Sequence, residues 1–372
     1  MGNITWTKQF SATPSWFFIT DPGASQLTDG QLLAGYARDA GAQTEVAWLE
    51  SLDDGLTWAE ISTTPASDDR QIQRLVHVAE NILVWTYYDI VDNTVHVLRS
   101  ANGGHSWTEV QSYHKDRPPS LALVCGAALS FERSAFAIAG RFNTPSGGGT
   151  LQEIATSLDA GETWTLGGVV DSSPGAGRPK TIRNGGSGTW LCGIEDKKIF
   201  KTTDWGATWY DVSPTTFPAG FLFAEMNAIA FVTPDIVLAG GMGNATGDHW
   251  FPYLYRSTDR GETWTHIPAA SIEDWPTANG NPQIFEIQRL TRDGAIFTWG
   301  PTGLQSTTPW RLSTDQGQTW RVTNTPADWN TDDSATGTGA VITTKDGSII
   351  SLLTVEKETE TYAEIWRGTW EC

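Results

Sequence analysis

Ser257-Thr-Asp259-Arg-Gly261-Glu-Thr263-Trp264 is the stretch that decides the fold, because the same eight-residue pattern returns five more times along the chain. The other copies each end in tryptophan and begin at Ser51, Ser100, Ser157, Thr202 and Ser313. An aspartate accepts backbone N–H bonds inside a tight turn, and a glycine two positions later can take a positive φ. The pattern therefore predicts six equivalent turns, each with a tryptophan packed beneath it.

The acidic position of the pattern is kept in all copies but the second. Its residues are Asp53, Asn102, Asp159, Asp204, Asp259 and Asp315. The pattern resembles the Asp box, or BNR repeat, of the sialidase-like β-propellers. In that superfamily the turn joins the third and fourth strands of a blade, on the face away from the usual binding site. The resemblance implies that these residues stabilise the fold and have no catalytic role.

The segments between boxes repeat one series of short strands. Each box tryptophan opens a strand, and three apolar or alternating runs follow before the next box. In the first unit these runs lie at 16–20, 32–36 and 44–49. Four short strands per unit, without helical periodicity between them, are typical of a propeller blade.

The two chain ends complete each other. After the last box a further trio of strands follows at 339–343, 348–353 and 362–367. Residues 4–10 read like the strand that follows a box, although no box precedes them. We therefore predict an all-β, seven-bladed β-propeller with four-stranded blades, forming a single domain over residues 1–372. Residues 4–10 should complete the blade formed by 335–370, which pairs the sheet edges at both termini.

Charge and composition limit the kinds of partner that the protein can bind. The chain has 372 residues, 39% of them hydrophobic, and a net charge of −19 from 24 basic and 43 acidic residues. Such an acidic surface disfavours nucleic acid and anionic membranes. No stretch is long enough to span a bilayer, and the first residues do not read as a secretory signal. We expect a soluble, cytoplasmic or virion-associated protein that does not insert into membranes.

Cysteine and histidine spacing predicts neither a metal site nor a cofactor. Cys125, Cys192 and Cys372 have no metal-site spacing, and the first two lie in apolar strand patterns. Buried free thiols are expected there, with a Cys125–Cys192 disulfide as the alternative. The six histidines also lack ligand spacing, and no glycine-rich phosphate loop precedes a helix.

Functional residues are expected on the face opposite the boxes. There, the loops between blades and the loops from second to third strand open around the channel. These loops carry aromatic and charged side chains, among them Trp16, Lys180, Glu195, Glu225, Trp250, Trp275 and Trp329. Flat aromatic faces stack on sugar rings while polar groups bind their hydroxyls. Glu225, Trp250, Trp275 and Trp329 are therefore candidate ligand-binding residues.

Arginines give a second candidate site. Arg70, Arg117 and Arg178 precede the innermost strands of three consecutive units, where they could bind an anion. Solvated or salt-bridged loop arginines are the alternative. Sialidases place their first arginine in a Phe/Tyr-Arg-Ile-Pro motif, but residues 15–20 read Ser-Trp-Phe-Phe-Ile-Thr, which disfavours a true sialidase.

Two functions remain open, because Asp-box propellers with seven blades include both xyloglucanase-type glycosidases and a photosystem II assembly factor. We favour a non-enzymatic recognition module for a glycan or a protein surface, as a structural component of a larger assembly such as a phage particle. The alternative is a glycoside hydrolase, sialidase-like or xyloglucanase-like, which needs two carboxylates across a groove. Candidate carboxylates are Asp68, Asp69, Asp116, Glu225, Asp274 and Asp332, and no pair among them stands out.

Overall fold

Antiparallel β-sheets account for nearly all regular structure in the described part of the chain. The computed structural model describes residues 4–12, 17–18, 24–39, 44–65, 74–89, 94–114, 125–127, 136–143, 150–171, 179–217, 223–244, 250–273, 286–289, 296–299, 310–324, 326, 335–357 and 360–370. Their strands form seven sheets, six with four strands and one with five. A short 3₁₀ helix lies at Ala269–Ser271. The architecture is an all-β propeller with four-stranded antiparallel blades.

The strands follow one another through the sheets in chain order, except that β1 (Ile4–Ala12) belongs to the last sheet. The first sheet contains β2 (Phe17–Phe18), β3 (Ala24–Gln26), β4 (Leu32–Asp39), β5 (Thr44–Ser51) and β6 (Ala59–Pro65). The second contains β7 (Arg74–Ala79), β8 (Ile82–Asp89), β9 (Thr94–Ser100) and β10 (Thr108–His114). The third contains β11 (Cys125–Ala127), β12 (Phe136–Asn143), β13 (Thr150–Ser157) and β14 (Thr165–Asp171).

The later sheets repeat this order. The fourth contains β15 (Pro179–Gly186), β16 (Thr189–Ile194), β17 (Lys198–Thr202) and β18 (Tyr210–Asp211). The fifth contains β19 (Phe223–Phe231), β20 (Val237–Asn244), β21 (Trp250–Ser257) and β22 (Thr265–His266). The sixth contains β23 (Glu286–Arg289), β24 (Ile296–Trp299), β25 (Trp310–Ser313) and β26 (Arg321–Thr323). The last contains β27 (Ala335–Thr343), β28 (Ile349–Lys357), β29 (Glu360–Trp370) and β1.

The first sheet departs from the prediction of four strands. Both β2 and β3 pair with β4. The predicted run at 16–20 contains β2, whereas β3 was not predicted. The sequence Ala24-Ser-Gln26 shows no apolar alternation, so periodicity gives no signal for this strand.

The last sheet contains both ends of the chain. Strand β1 pairs antiparallel with β29, with Ile4 opposite Trp370 and Phe10 opposite Ile365. This is the pairing predicted for residues 4–10. Outside the sheet, Asn324 Oδ1 accepts a 2.8 Å hydrogen bond from the Ile4 N–H. The N-terminal strand thus completes the sheet that the C-terminal strands begin.

The hydrophobic core lies between neighbouring sheets. Strand β16 is buried along its whole length, and its alternate residues serve two cores. Trp190 and Cys192 pack within their own sheet, whereas Leu191 packs against β19 of the next sheet beside Met226. Because both faces are covered, the strand reads as a continuous apolar run. Cys192 is fully buried, as expected.

Each box is a closed hydrogen-bonded turn. In the box that contains Asp259, the Ser257 hydroxyl donates to the carboxylate at 2.7 Å and accepts the Gly261 N–H at 2.8 Å. Thr263 donates both its N–H, at 2.9 Å, and its hydroxyl, at 2.5 Å, to the same carboxylate. Gly261 has φ +83°, and a Cβ there would lie 2.8 Å from Leu191. Glycine is therefore required by both conformation and space.

The second box uses an amide in place of the carboxylate. Asn102 Oδ1 accepts the Ser106 N–H at 2.9 Å, and Asn102 Nδ2 donates to the Ser106 hydroxyl at 2.9 Å. The threonine in the other boxes donates its hydroxyl instead. Reversing this one bond lets asparagine form the same turn.

Basic side chains at the end of third strands bind the box of the next sheet. Arg99 Nε donates to the Ala160 carbonyl at 2.9 Å, and Arg256 Nε donates to the Gln316 carbonyl at 3.0 Å. Both carbonyls belong to the residue after the box aspartate, which has a positive φ of 57° in Ala160 and 60° in Gln316. These bonds tie neighbouring boxes together around one face of the propeller.

Candidate functional site

The end of the propeller opposite the boxes holds the candidate site. Within three sheets, the turn between the first and second strands is hydrogen-bonded to the box, as in the 3.1 Å bond from the Trp205 N–H to the Gly188 carbonyl. Boxes and these turns therefore share one end. Because the strands are antiparallel, the beginnings of the first strands and the ends of the second strands lie at the other end. Lys180, Glu195 and Glu225 all belong to that end.

These three charged side chains form one cluster between the fourth and fifth sheets. Lys180 Nζ lies 3.0 Å from Glu195 Oε1 and 3.3 Å from Glu225 Oε2. Their side chains are only 15–17% exposed. Lys180 stands near the start of β15, Glu195 follows β16, and Glu225 lies on β19. Charged side chains with so little exposure are normally paired, as these three are with one another.

Backbone contacts hold the cluster in place. Glu195 and Glu225 form an isolated antiparallel bridge, and the Lys197 N–H donates to the Ala224 carbonyl at 3.1 Å. The Tyr253 hydroxyl donates to the Glu225 carbonyl at 2.6 Å. Burial raises the pKa of Tyr253 well above its ordinary value, so the hydroxyl keeps its proton and this bond. The two carboxylates therefore project from a fixed backbone.

An aromatic group borders this region. Phe217 packs edge-on against Tyr253 and Tyr255, with ring centroids 5.8 and 5.4 Å apart. The Lys197 ammonium lies 5.5 Å from the centre of the Phe217 ring. That ring thus has a cation over one face, a favourable arrangement for both groups.

Among the candidates from the sequence, the structure brings Glu225 together with Lys180 and Glu195. Trp250 begins β21 opposite Asn244, at the end of that strand far from its box. The remaining candidates lie outside the described residues, namely Trp16, Asp68, Asp69, Arg70, Asp116, Arg117, Arg178, Asp274, Trp275, Trp329 and Asp332.

The contact between Lys180 and the two glutamates was missed by sequence reasoning, although all three residues were assigned to the correct end. Strand periodicity predicts which end a residue occupies, but not which side chains meet across two sheets. One available signal was position, because Lys180 and Glu225 stand near the start of consecutive first strands.

Within the described residues, no three His, Cys, Asp or Glu side chains are grouped so that they could hold a metal ion. No helix of the described chain is long and apolar enough to cross a membrane.

Comparisons with known proteins agree with this architecture. The BNR/Asp-box repeat model matches residues 255–266. Comparison with curated protein sequences finds no significant match. The chain is a β-propeller that carries the Asp-box repeat, and it is not a close match to the sialidases.

Three similar solved structures illustrate the fold. YCF48 bound to D1 peptide is 14% identical with a TM-score of 0.57, covering 100% of this chain and 98% of that one. The α-L-arabinofuranosidase Arb93A from Fusarium graminearum, in complex with an iminosugar inhibitor, is 13% identical with a TM-score of 0.56 and 98% of both chains covered. The GH74 xyloglucanase from Xanthomonas campestris is 15% identical with a TM-score of 0.54, covering 94% of this chain and 59% of that one. At these identities the likeness concerns the fold alone.

Proposed function

We propose that the seven sheets are the blades of one closed propeller domain spanning residues 1–372, and that the face opposite the boxes binds a glycan or a protein surface. The chain acts as a non-enzymatic recognition module and as a structural component of a larger assembly, such as a phage particle. It carries out this role in the cytoplasm or on the virion.

The observation that carries this proposal is the cluster of Lys180, Glu195 and Glu225. It combines donors and acceptors from two sheets at the end where the boxes do not lie, and its side chains remain 15–17% exposed. Rigid, partly exposed polar groups of this kind give orientation and specificity in binding sites. The carboxylates of the described boxes instead accept hydrogen bonds from within their own turns.

Loop residues extend the proposed surface. Trp250, Trp275 and Trp329 supply large contact area to the ligand, and Arg70, Arg117 and Arg178 bind its anionic groups. The peptide bound to YCF48 supports a protein ligand, and the sugar-cleaving neighbours support a glycan. The peptide and the sugars are ligands of those proteins. This chain is similar to them in fold.

A glycoside hydrolase is the second candidate, because Glu195 and Glu225 are two carboxylates brought together on this face. Glycosidase pairs stand about 5–9.5 Å apart, with the sugar or a water between them. Here both carboxylates instead face one ammonium. That geometry favours binding over hydrolysis.

The proposal is tested by screening the protein on a glycan array and against a displayed peptide library, beside hydrolysis assays on chromogenic glycosides. Binding without turnover, reduced by changes on the face opposite the boxes, supports it. Absence of any glycan or peptide ligand, or turnover of a glycoside, contradicts it.

A further inference from the structure

Lys180 sits at an irregular position of the first strand. The register of β15 against β16 shifts between Pro179 and Thr181, so Lys180 is the extra residue of a β-bulge. Strand β19 has a similar shift between Met226 and Ala228, which makes Asn227 its extra residue. Bulges re-aim side chains and occur often beside functional sites. Both bulges lie on first strands that contact each other.

Two buried polar atoms at or beside these bulges make no hydrogen bond within the described residues. Thr181 is fully buried and Asn227 is 6% exposed. Thr181 Oγ1 and Asn227 Nδ2 have no hydrogen-bond partner among the described residues. Such atoms usually bind water or a ligand. Thr181 follows Lys180 directly, and Asn227 lies two residues after Glu225, so both groups belong to the two first strands that carry Lys180 and Glu225.

Charge determines what the cluster can accept. The Lys180 ammonium is shared between two carboxylates, and its contact with Glu225, at 3.3 Å, is the longer one. A second cation placed beside Glu225 would strengthen the network, whereas an anion would meet two carboxylates. The net charge of −19 also draws cationic ligands towards the protein.

We propose that Glu225 and Glu195 bind the ammonium or guanidinium group of a lysine or arginine side chain on a partner polypeptide. The inference rests on the proposed recognition function and names the ligand chemistry at one point of that face. The buried Thr181 and Asn227 groups on the same two strands bind water rather than the segment itself. A sugar fits this point less well, because Lys197 already lies over one face of the bordering Phe217 ring.

A random 12-residue displayed peptide library, selected against the intact protein, tests the inference. Among selected peptides we expect lysine or arginine to be enriched at one position by at least about tenfold over the starting library. The enrichment should disappear with Glu225→Gln. It should persist with Glu162→Gln, which removes the same charge from a box turn at the other end of the propeller.

The affinity of one selected peptide, measured by fluorescence anisotropy, should change in opposite directions in two variants. Glu225→Gln should weaken binding at least about tenfold, because one charge-assisted contact is lost. Lys180→Met should strengthen binding, because it removes the internal competitor for both carboxylates. A purely structural ion pair would give losses of the same sign in both variants, and that result would overturn the inference. Melting curves establish that each variant is folded, and Glu195→Gln replaces any Glu225 variant that is not.

The outcome also separates this inference from the proposed function. Selected peptides without a basic residue, or peptides that bind Glu225→Gln as tightly as the parent, contradict the cationic site and leave the recognition function standing. The same holds if the protein binds a glycan and selects no peptide. If it binds neither, the recognition function itself is wrong.

Discussion

Arg367 and Asp54 join the last sheet of the chain to the first, although 313 residues separate them in sequence. Arg367 Nε donates a 3.0 Å hydrogen bond to the Asp54 backbone carbonyl. The same guanidinium lies 2.5 Å from Asp346 and is 13% exposed. Asp54 follows the aspartate of the first box, so this contact repeats the one that Arg99 and Arg256 make to later boxes.

Arg367→Met keeps most of the aliphatic packing and removes this bond between the two ends of the chain. We expect the free energy of unfolding to fall by about 1–3 kcal/mol, since the partly buried Asp54 carbonyl and the Asp346 carboxylate both lose their charged donor. Arg321→Met, at an exposed position of β26, is the matched control and should change stability by less than about 0.5 kcal/mol. Chemical denaturation measures both, and equal losses would show that the contact does not stabilise the fold.

The N-terminal strand is held by a partly buried ion pair. Lys8 Nζ lies 2.7 Å from Glu364, whose side chain is 1% exposed, while the lysine is 33% exposed. Trp366 Nε1 also donates to Glu364, at 2.9 Å. Lys8→Met should cost about 1–3 kcal/mol, because it leaves a carboxylate buried without its cation. Adding Glu364→Gln should recover part of that loss, and a double variant less stable than Lys8→Met would contradict this account.

Box tryptophans should differ in their contribution to stability. The sequence predicts the same loss for Trp209, Trp264 and Trp320, but Trp320 is 2% exposed and the other two are only half-buried. Trp320→Ala should cost about 3–5 kcal/mol and Trp264→Ala less. Calorimetry and ligand binding are measured together. A variant that keeps its melting temperature but loses a ligand would assign a binding role to the box.

Acid should weaken the boxes. Hydrogen bonds donated by Thr57 lower the pKa of the Asp53 carboxyl. Burial alone would raise the pKa of Asp259, but bonds from Thr263 and Ser257 outweigh it and lower the pKa. A carboxyl whose pKa is lower in the folded state stabilises the fold above its unfolded pKa of about 3.9, and this stability is lost as pH falls through the folded value.

Asp259→Asn tests this linkage, because asparagine forms the second box naturally. The free energy of unfolding should fall less steeply below pH ~4 in this variant than in the parent. Asp235→Asn, on an exposed turn, is the matched control for the substitution itself. Identical slopes in the parent and Asp259→Asn would show that the box carboxylate does not couple folding to protonation.

Most of the fold was predicted from local sequence patterns. The box turns depend on bonds among residues within eight positions, so Asp or Asn, Gly, Thr or Ser, and Trp at fixed spacing predict them directly. The pairing of residues 4–10 with the C-terminal strand followed from an unpartnered strand at each end. Strand β3 could not be predicted, because Ala24-Ser-Gln26 shows no apolar alternation and pairs with β4 through its backbone.

The site was predicted less completely for a physical reason. Lys180, Glu195 and Glu225 meet across two neighbouring sheets, and Lys180 and Glu225 lie on first strands that contain bulges. An acidic chain offers a carboxylate in almost every loop, so composition could not select this pair. Packing between sheets decides which charges are buried and therefore which must be paired.

The central claim is that the face opposite the boxes recognises a ligand without catalysing a reaction. Its most direct test is to measure hydrolysis and binding of the same glycan by the parent and by two sets of single variants. The first set is Trp250→Ala, Trp275→Ala and Trp329→Ala. The second set replaces one carboxylate at a time by its amide, at Asp68, Asp116, Glu225, Asp274 and Asp332. We predict no turnover by any of them, with binding weakened by at least one tryptophan change. Turnover by the parent that a single carboxylate change reduces by several orders of magnitude, with affinity nearly intact, would contradict the claim and establish a glycoside hydrolase.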